Sequence, residues 1–206
     1  MNTLIMQAKD NLLRRGYSVY LCESKDTLLD TIFKNILPAD IANMTIGLGH
    51  SETLEEIDLL GELRNRNATV YFHKPPTVSA EDDRKALLSD VYFLSANALS
   101  KDGYIVNIDG TGNRTAASCF GPKHVVFVIG KNKITETLDA AMDRALNYSA
   151  VVLAKKYGMT KLPCVAAGKC MECFSRDCIS GVMTIHRRQL LGNKTSVILV
   201  DEEMGI

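Results

Sequence analysis

Apolar positions along the chain switch repeatedly between a spacing of three to four residues and short continuous or alternating runs. That alternation predicts an α/β fold. A first helix is expected from about Thr3 to Arg15, stopped by Gly16, with a strand over Tyr17–Cys22 marked by aromatic and β-branched content. Ser24 is placed to cap a helix whose apolar face is Leu28, Leu29, Ile32, Phe33 and Ile36. Met44–Leu48 reads as a short strand, Leu54–Arg64 as a helix, and Thr69–His73 as an extended stretch ending at Pro75-Pro76. Ser79 is the expected cap of the next helix, with Asp82 three residues on. Asp90–Leu94 and Tyr104–Ile108 are strands, the second entered through a hairpin turn at Lys101-Asp102-Gly103.

The run Val125–Ile129 lacks polar alternation, as a strand covered on both faces does. A long helix over about Thr135–Tyr157 carries Leu138, Ala141, Met142, Ala145 and Leu146 on one stripe. Gly181–Arg187 and Thr195–Val200, separated by Gly192-Asn193-Lys194, predict a C-terminal β-hairpin. No repeat or linker interrupts the chain. The expectation is one domain over 1–206 with a cysteine-bearing segment at 158–180.

At 206 residues the chain is long enough to bury a substantial core without covalent staples. Lysine plus arginine and aspartate plus glutamate are equal at 24 each, and the basic residues are dispersed, which argues against a nucleic-acid partner. The first ten residues lack a basic start followed by a long apolar core, and no apolar run approaches the roughly 20 residues that span a bilayer. These features predict a cytoplasmic protein with no membrane partner. Six cysteines in that setting point to reduced thiols or metal ligands rather than disulfides.

Four of the six fall close together, at Cys164, Cys170, Cys173 and Cys178, in the spacing C-x5-C-x2-C-x4-C. A C-x2-C turn can present two sulfurs to one metal, so a zinc or iron-sulfur site formed by these four residues is expected. The plainer alternative is that some are buried small hydrophobes. Cys22 and Cys119 read as a strand end and a helix residue.

Two glycine loops follow strands. Gly47-Leu48-Gly49-His50-Ser51-Glu52-Thr53 lies where exposed backbone N–H groups attract anions, with the Ser51 and Thr53 hydroxyls as added donors. It has neither the third glycine of a dinucleotide fingerprint nor the lysine of a P-loop. Asp109-Gly110-Thr111-Gly112-Asn113-Arg114 packs a carboxylate, a hydroxyl, an amide and a guanidinium around two glycines, and Arg114 could clamp a carboxylate or phosphate. Both loops are candidate anion-binding sites and are expected to line one cleft. The structural alternatives are a tight βα turn for the first and an Asx turn with Arg114 paired to Asp109 for the second. His50 is either an acid/base group or a solvated loop residue. His73, His124 and His186 have no metal-ligand spacing.

Leu94–Leu99, Asp102-Gly103, Val106–Arg114, Phe120–Lys123, Gly130–Ile134, Pro163-Cys164, Gly168-Lys169-Cys170 and Cys173 together resemble the LUD domain, the lactate-utilisation family. The resemblance covers nearly the whole chain. It implies a three-layer α/β/α architecture with a mainly parallel sheet in the NagB/RpiA/CoA transferase-like fold group, in which a loop like Gly47–Thr53 holds phosphate. It further implies a part in oxidising lactate to pyruvate beside partner subunits carrying iron-sulfur clusters. A homo-oligomer is compatible with it. Three functions follow as expectations: a component of hydroxy-acid oxidation, whose Arg114 and Gly47–Thr53 loop bind a small anion and whose cysteines hold the metal; a transferase or isomerase acting on a CoA ester or sugar phosphate, with Asp109 or Glu52 as acid/base; and a non-enzymatic ligand or redox sensor.

Overall fold

The computed structural model describes residues 3–72 and 79–206. His73, Pro75 and Pro76 lie outside the described residues. The chain runs through α1 (Thr3–Arg14), β1 (Ser18–Cys22), α2 (Leu28–Thr31), β2 (Thr45–Leu48), α3 (Glu52–Glu55), α4 (Leu59–Asn65), β3 (Thr69–Tyr71), α5 (Ala80–Ala86) and β4 (Val91–Leu94). It continues through β5 (Ala98–Ser100), β6 (Ile105–Asp109), α6 (Asn113–Cys119), β7 (His124–Gly130), β8 (Ile134–Thr135) and α7 (Leu138–Asp143). The last elements are α8 (Ala150–Lys156), α9 (Pro163–Ala167), β9 (Val182–His186) and β10 (Lys194–Val200).

Six strands form a parallel sheet in the order β1-β10-β7-β4-β2-β3. Because successive side chains in a strand point to opposite faces, one run can feed two cores. Phe93, Val126, Val128, Ile198 and Val200 pack on one face with Leu28 and Ile32 of the α2 region and Leu59 and Leu63 of α4. Tyr92, Leu94, Val125, Phe127, Val197 and Leu199 pack on the other with Ile5, Ala8 and Leu12 of α1, Ala86 of α5 and Ala117 of α6. Helices therefore cover both sides of a mainly parallel sheet, as expected. A second sheet, β8-β5-β6-β9, joins the α1 side through Leu99, Ile105 and Ile134, and its other face is covered by Ala141 of α7, Ala150 of α8 and Ala145 of the turn between them.

The C-terminal hairpin does not form. β9 pairs antiparallel with β6 in the second sheet, whereas β10 enters the main sheet between β1 and β7. The reason is visible in burial: Thr195–Val200 is buried throughout and needs cover on both faces, while Val182–Ile185 stays partly exposed. A hairpin would have left one face of β10 in water. The expected helix over Leu54–Arg64 is broken at Asp58, whose φ of 45° is left-handed and whose carboxylate caps α4 by accepting from Gly61 N. The long helix is likewise interrupted, by a π turn over Arg144–Ser149. Ser79 caps α5 as expected, accepting from Asp82 N at 3.1 Å.

Buried histidines tie stability to acid pH. His124 Nε2 meets Ser196 Oγ at 2.9 Å inside the sheet, and burial, with Lys194 adding, lowers its pKa to about 4. The unfolded chain takes up a proton near pH 6.5, whereas the folded chain resists until about 4. Stability from this group is thus present above pH 6.5 and is lost as pH falls toward 4, on the order of 3 kcal/mol in all. His124→Gln should flatten urea-denaturation stability across that window; an unchanged pH slope would assign acid lability elsewhere.

Candidate functional site

Because β2, β4 and β7 are parallel neighbours, their carboxyl ends gather at one edge of the sheet. Open α/β sheets bind ligands along such an edge. β2 delivers His50–Glu52, β4 delivers Ser95–Asn97, and β7 delivers Lys133 through a 3-10 turn over Lys131–Lys133. From the second sheet β6 adds Asp109–Thr111, with Asn113 and Arg114 at the start of α6. Together with Ser149, Leu153, Ile179 and Ile206 these residues enclose a cleft of about 180 Å³. The two glycine loops do share one cavity.

Within it the expected residues divide into two groups. Ser51, Asp109, Gly110, Thr111, Asn113 and Arg114 line the cleft, whereas Gly47, Gly49, Gly112 and Thr53 do not. Gly47 lies beneath Tyr92 and α5, where an added Cβ would stand 2.5 Å from Tyr92 Cδ2. Gly49 is covered by the Arg114 side chain, whose Cγ would be 2.9 Å from such a Cβ, and its N–H already donates to Phe93 O. The first loop therefore lets Arg114 come close, and the Gly49 amide is used by the sheet. Gly112 takes the left-handed conformation, φ 86°, that turns the chain into α6.

Arg114 is held on several sides. Its backbone N donates to Asp109 Oδ2 at 2.9 Å, Nη2 donates to Ile108 O at 2.6 Å, and Nε stands 3.4 Å from Asp109 Oδ2. The pairing with Asp109 is thus real, yet the guanidinium still faces the cleft. Among the described residues Nη1 makes no hydrogen bond. Asn113 is bridged to α5 by donating from Nδ2 to Asp83 Oδ1 at 2.9 Å. Thr111 in turn donates to Asn113 Oδ1 at 2.9 Å.

The residue that sequence reasoning missed is Lys133. It is 3 % exposed, and its Nζ donates to Thr53 Oγ1 at 2.8 Å and to Ser95 Oγ at 3.0 Å. Among the described residues no carboxylate lies within ion-pair distance. Burial, helped by Arg144 and Arg114 and opposed by Glu56 and Glu52, lowers its pKa to about 7. Thr53 therefore positions an amine and does not face the cleft. A lysine at the end of a central strand was the available signal, although composition alone reads it as a surface charge.

Around this pair, the π turn serves the wall. Arg144 donates from Nη1 to Asn97 O at 2.5 Å and to Ser149 Oγ at 2.8 Å, and from Nε to Asn132 O at 3.1 Å. That fixes the loops after β4 and β7 against each other. Asn132 also accepts from Met204 N at 3.0 Å and donates to Gly205 O at 3.1 Å, which draws residues 204–206 over Lys133. At the mouth His50 Nε2 meets Glu55 Oε1 at 3.1 Å, and Nδ1 lies 3.0 Å from the Tyr157 hydroxyl. His50 is a partnered wall residue rather than a solvated one.

The four clustered cysteines all line one cavity of about 610 Å³, with Leu146, Leu162, Met171 and Phe174 among its apolar walls. All four are free thiols. Burial, then the neighbouring Cys173 and Cys170, raise the Cys164 pKa. Among the described residues no group of three or more His, Cys, Asp or Glu side chains is assembled for a metal. The segment also walls the first cleft, since Ile179 borders both cavities and an added Cβ at Gly110 would stand 3.0 Å from its Cα.

Comparison with known proteins agrees with this architecture. The model of the LUD domain family matches residues 5–200. Among solved structures, the chain is similar to a DUF162 family protein from Deinococcus radiodurans, with 96 % of each chain covered, a TM-score of 0.50 and 16 % identity, a likeness of fold. No curated protein matches the chain. No helix among the described residues is long and apolar enough to cross a membrane.

Proposed function

This chain belongs to the LUD domain family, and on that premise we propose that it binds a small hydroxy acid such as lactate, or its oxo acid, as a component of hydroxy-acid oxidation. The observation that carries this reading is the pairing of Arg114 with Lys133 in one small cleft at the carboxyl edge of the sheet. A carboxylate accepts two parallel hydrogen bonds from a guanidinium, and the lysine amine, when protonated, adds a second cation nearby. Ser51, Asn97 and Ser149 supply polar groups for the substrate hydroxyl or carbonyl.

Size favours this ligand class over the alternatives. At about 180 Å³ the cleft lies below the range usual for drug-sized ligands, so it suits a small acid and does not enclose a CoA ester. No transfer chemistry is needed to explain it. Two electrons leaving the hydroxy acid would have to pass to an acceptor or an iron-sulfur partner subunit. Cys164, Cys170, Cys173 and Cys178 line one cavity and are the residues that would hold a zinc ion or cluster on this chain, their soft thiolate donors suiting either. As placed, no three of them are grouped for a metal, so binding would require the segment to draw them together. A cluster would supply one-electron transfer; zinc would clamp the segment. Metal analysis and the absorbance spectrum of anaerobically purified protein distinguish these, and metal-free protein with four reactive thiols would remove the centre from the proposal.

Calorimetric titration tests the ligand. Lactate should bind more tightly around pH 6 than around pH 8, because above about 7 Lys133 must take up a proton to act as a cation. In the limit the affinity falls by about tenfold per pH unit. Binding of phosphate or a sugar phosphate in preference to either acid would favour the isomerase reading, and turnover of lactate without an electron acceptor would contradict the oxidation role.

A further inference from the structure

The geometry points to a second use of the same cleft: we infer that Lys133 is a nucleophile that forms a covalent imine with the carbonyl carbon of a bound 2-oxo acid. This rests on the carboxylate reading above and names the reacting atom within it. Three observations carry it. The Lys133 side chain is almost fully buried yet lines the cleft, and its hydrogen-bond partners are two neutral hydroxyls, Thr53 and Ser95. A lysine kept only as a structural cation is expected to face a carboxylate when buried. The hydroxyls instead hold the amine in place without the countercharge a carboxylate would supply.

The second observation is a guanidinium lining the same cleft. Arg114, anchored by Asp109 and Ile108 O, would fix the carboxylate of the acid, leaving the adjacent carbonyl carbon toward Nζ. The third is the near-neutral affinity of the amine for protons, with pKa about 7, which leaves a large fraction unprotonated in ordinary buffers. Burial produces that reactivity, and the nearby Arg144 and Arg114 charges reinforce it.

The step balances without an oxidant. The Nζ lone pair forms the N–C bond as the carbonyl π pair moves to oxygen, and one proton passes from nitrogen to that oxygen to give a carbinolamine. A further proton from solvent lets the oxygen leave as water, and the nitrogen lone pair closes the C=N bond of an iminium that keeps one N–H. Ser95 and Thr53, both hydrogen-bonded to Nζ, are placed to relay protons. A 2-hydroxy acid has no keto group and cannot enter this step. The class of reaction that follows is proton exchange or carbon–carbon bond chemistry beside the former carbonyl, where an iminium acts as an electron sink.

Reduction with borohydride tests the inference, because hydride adds to the iminium carbon and leaves a stable secondary amine. The full chain is incubated around pH 8 with pyruvate, reduced, digested and mapped by mass spectrometry. A reduced pyruvyl adduct on Lys133 is expected, with none after lactate or after borohydride alone. Lys133→Met should lose the adduct while its melting transition is retained, and site mapping on the unmodified sequence decides the matter even if that variant misfolds. Pyruvate that binds in titration but leaves no adduct, or adducts spread over exposed lysines, overturns the imine and leaves the carboxylate site standing. Pyruvate that does not bind at all overturns both.

Discussion

Arg114→Ala is expected to weaken binding of a small carboxylate by about 1.5 to 3 kcal/mol, roughly 10- to 150-fold, the range for a charge-assisted pair in a partly buried site. The guanidinium cannot be replaced by movement of a neighbour, since the other cation lining the cleft, Lys133, is held by Thr53 and Ser95. Some stability will be lost as well, because Asp109 is 6 % exposed and would lose its cation while keeping the Arg114 backbone N–H as a donor. Calorimetric titration beside urea denaturation separates the two effects. A protein that loses only stability and still binds the acid with full affinity would make Arg114 a brace for Asp109 and nothing more.

Gly47→Ala should cost about 3 kcal/mol of stability, at the upper end of what inserting atoms into a packed core does. The new Cβ would stand 2.5 Å from Tyr92 Cδ2, 2.9 Å from Ala86 O and 3.0 Å from Ser89 Oγ. Tyr92 is 2 % exposed, so its ring has no free space to take, and Ala86 O is backbone at the end of α5. For a chain of this size a loss of that magnitude lowers Tm by roughly 10 °C. Ligand affinity should fall too, because the Tyr92 hydroxyl lies against the same Gly49 position that Arg114 covers. A melting temperature within a degree or two of the original would show that β2 and α5 can part without loss.

Much of the fold was legible because burial on two faces leaves a plain signature. Val125–Ile129 announces the sheet centre, and Lys101-Asp102-Gly103 does turn between β5 and β6. The same signature was present in Ser196–Val200, but the Gly192-Asn193 turn beside it suggested a local partner, and turn chemistry does not say which strand lies at the far end of the chain. The left-handed Asp58 and the π turn at Arg144–Ser149 are tertiary adjustments with no local composition to betray them. In the site, the second loop was readable since its polar groups are contiguous. Lys133 was not, because its burial is made by Thr53, Ser95 and the Met204 segment, none of them neighbours in sequence. The glycines of the first loop were visible, and what stands where their Cβ atoms would be is Tyr92 and Arg114.

The place of β10 has a consequence for the order in which the molecule assembles. Among the described strands, β1 touches the main sheet through β10 and no other, with Ser18 opposite Ser196. Because β1 is made before β10, it must wait for residues 194–200 before it can be paired. Until then α1 has Leu94, Val125 and Phe127 to pack on, but neither Val197 nor Leu199. Closing so long a loop is costly before its contacts form, and such distant pairings slow folding. The β3-β2-β4-β7 part of the sheet can pair while the chain is still growing, and β1 is the strand that docks late.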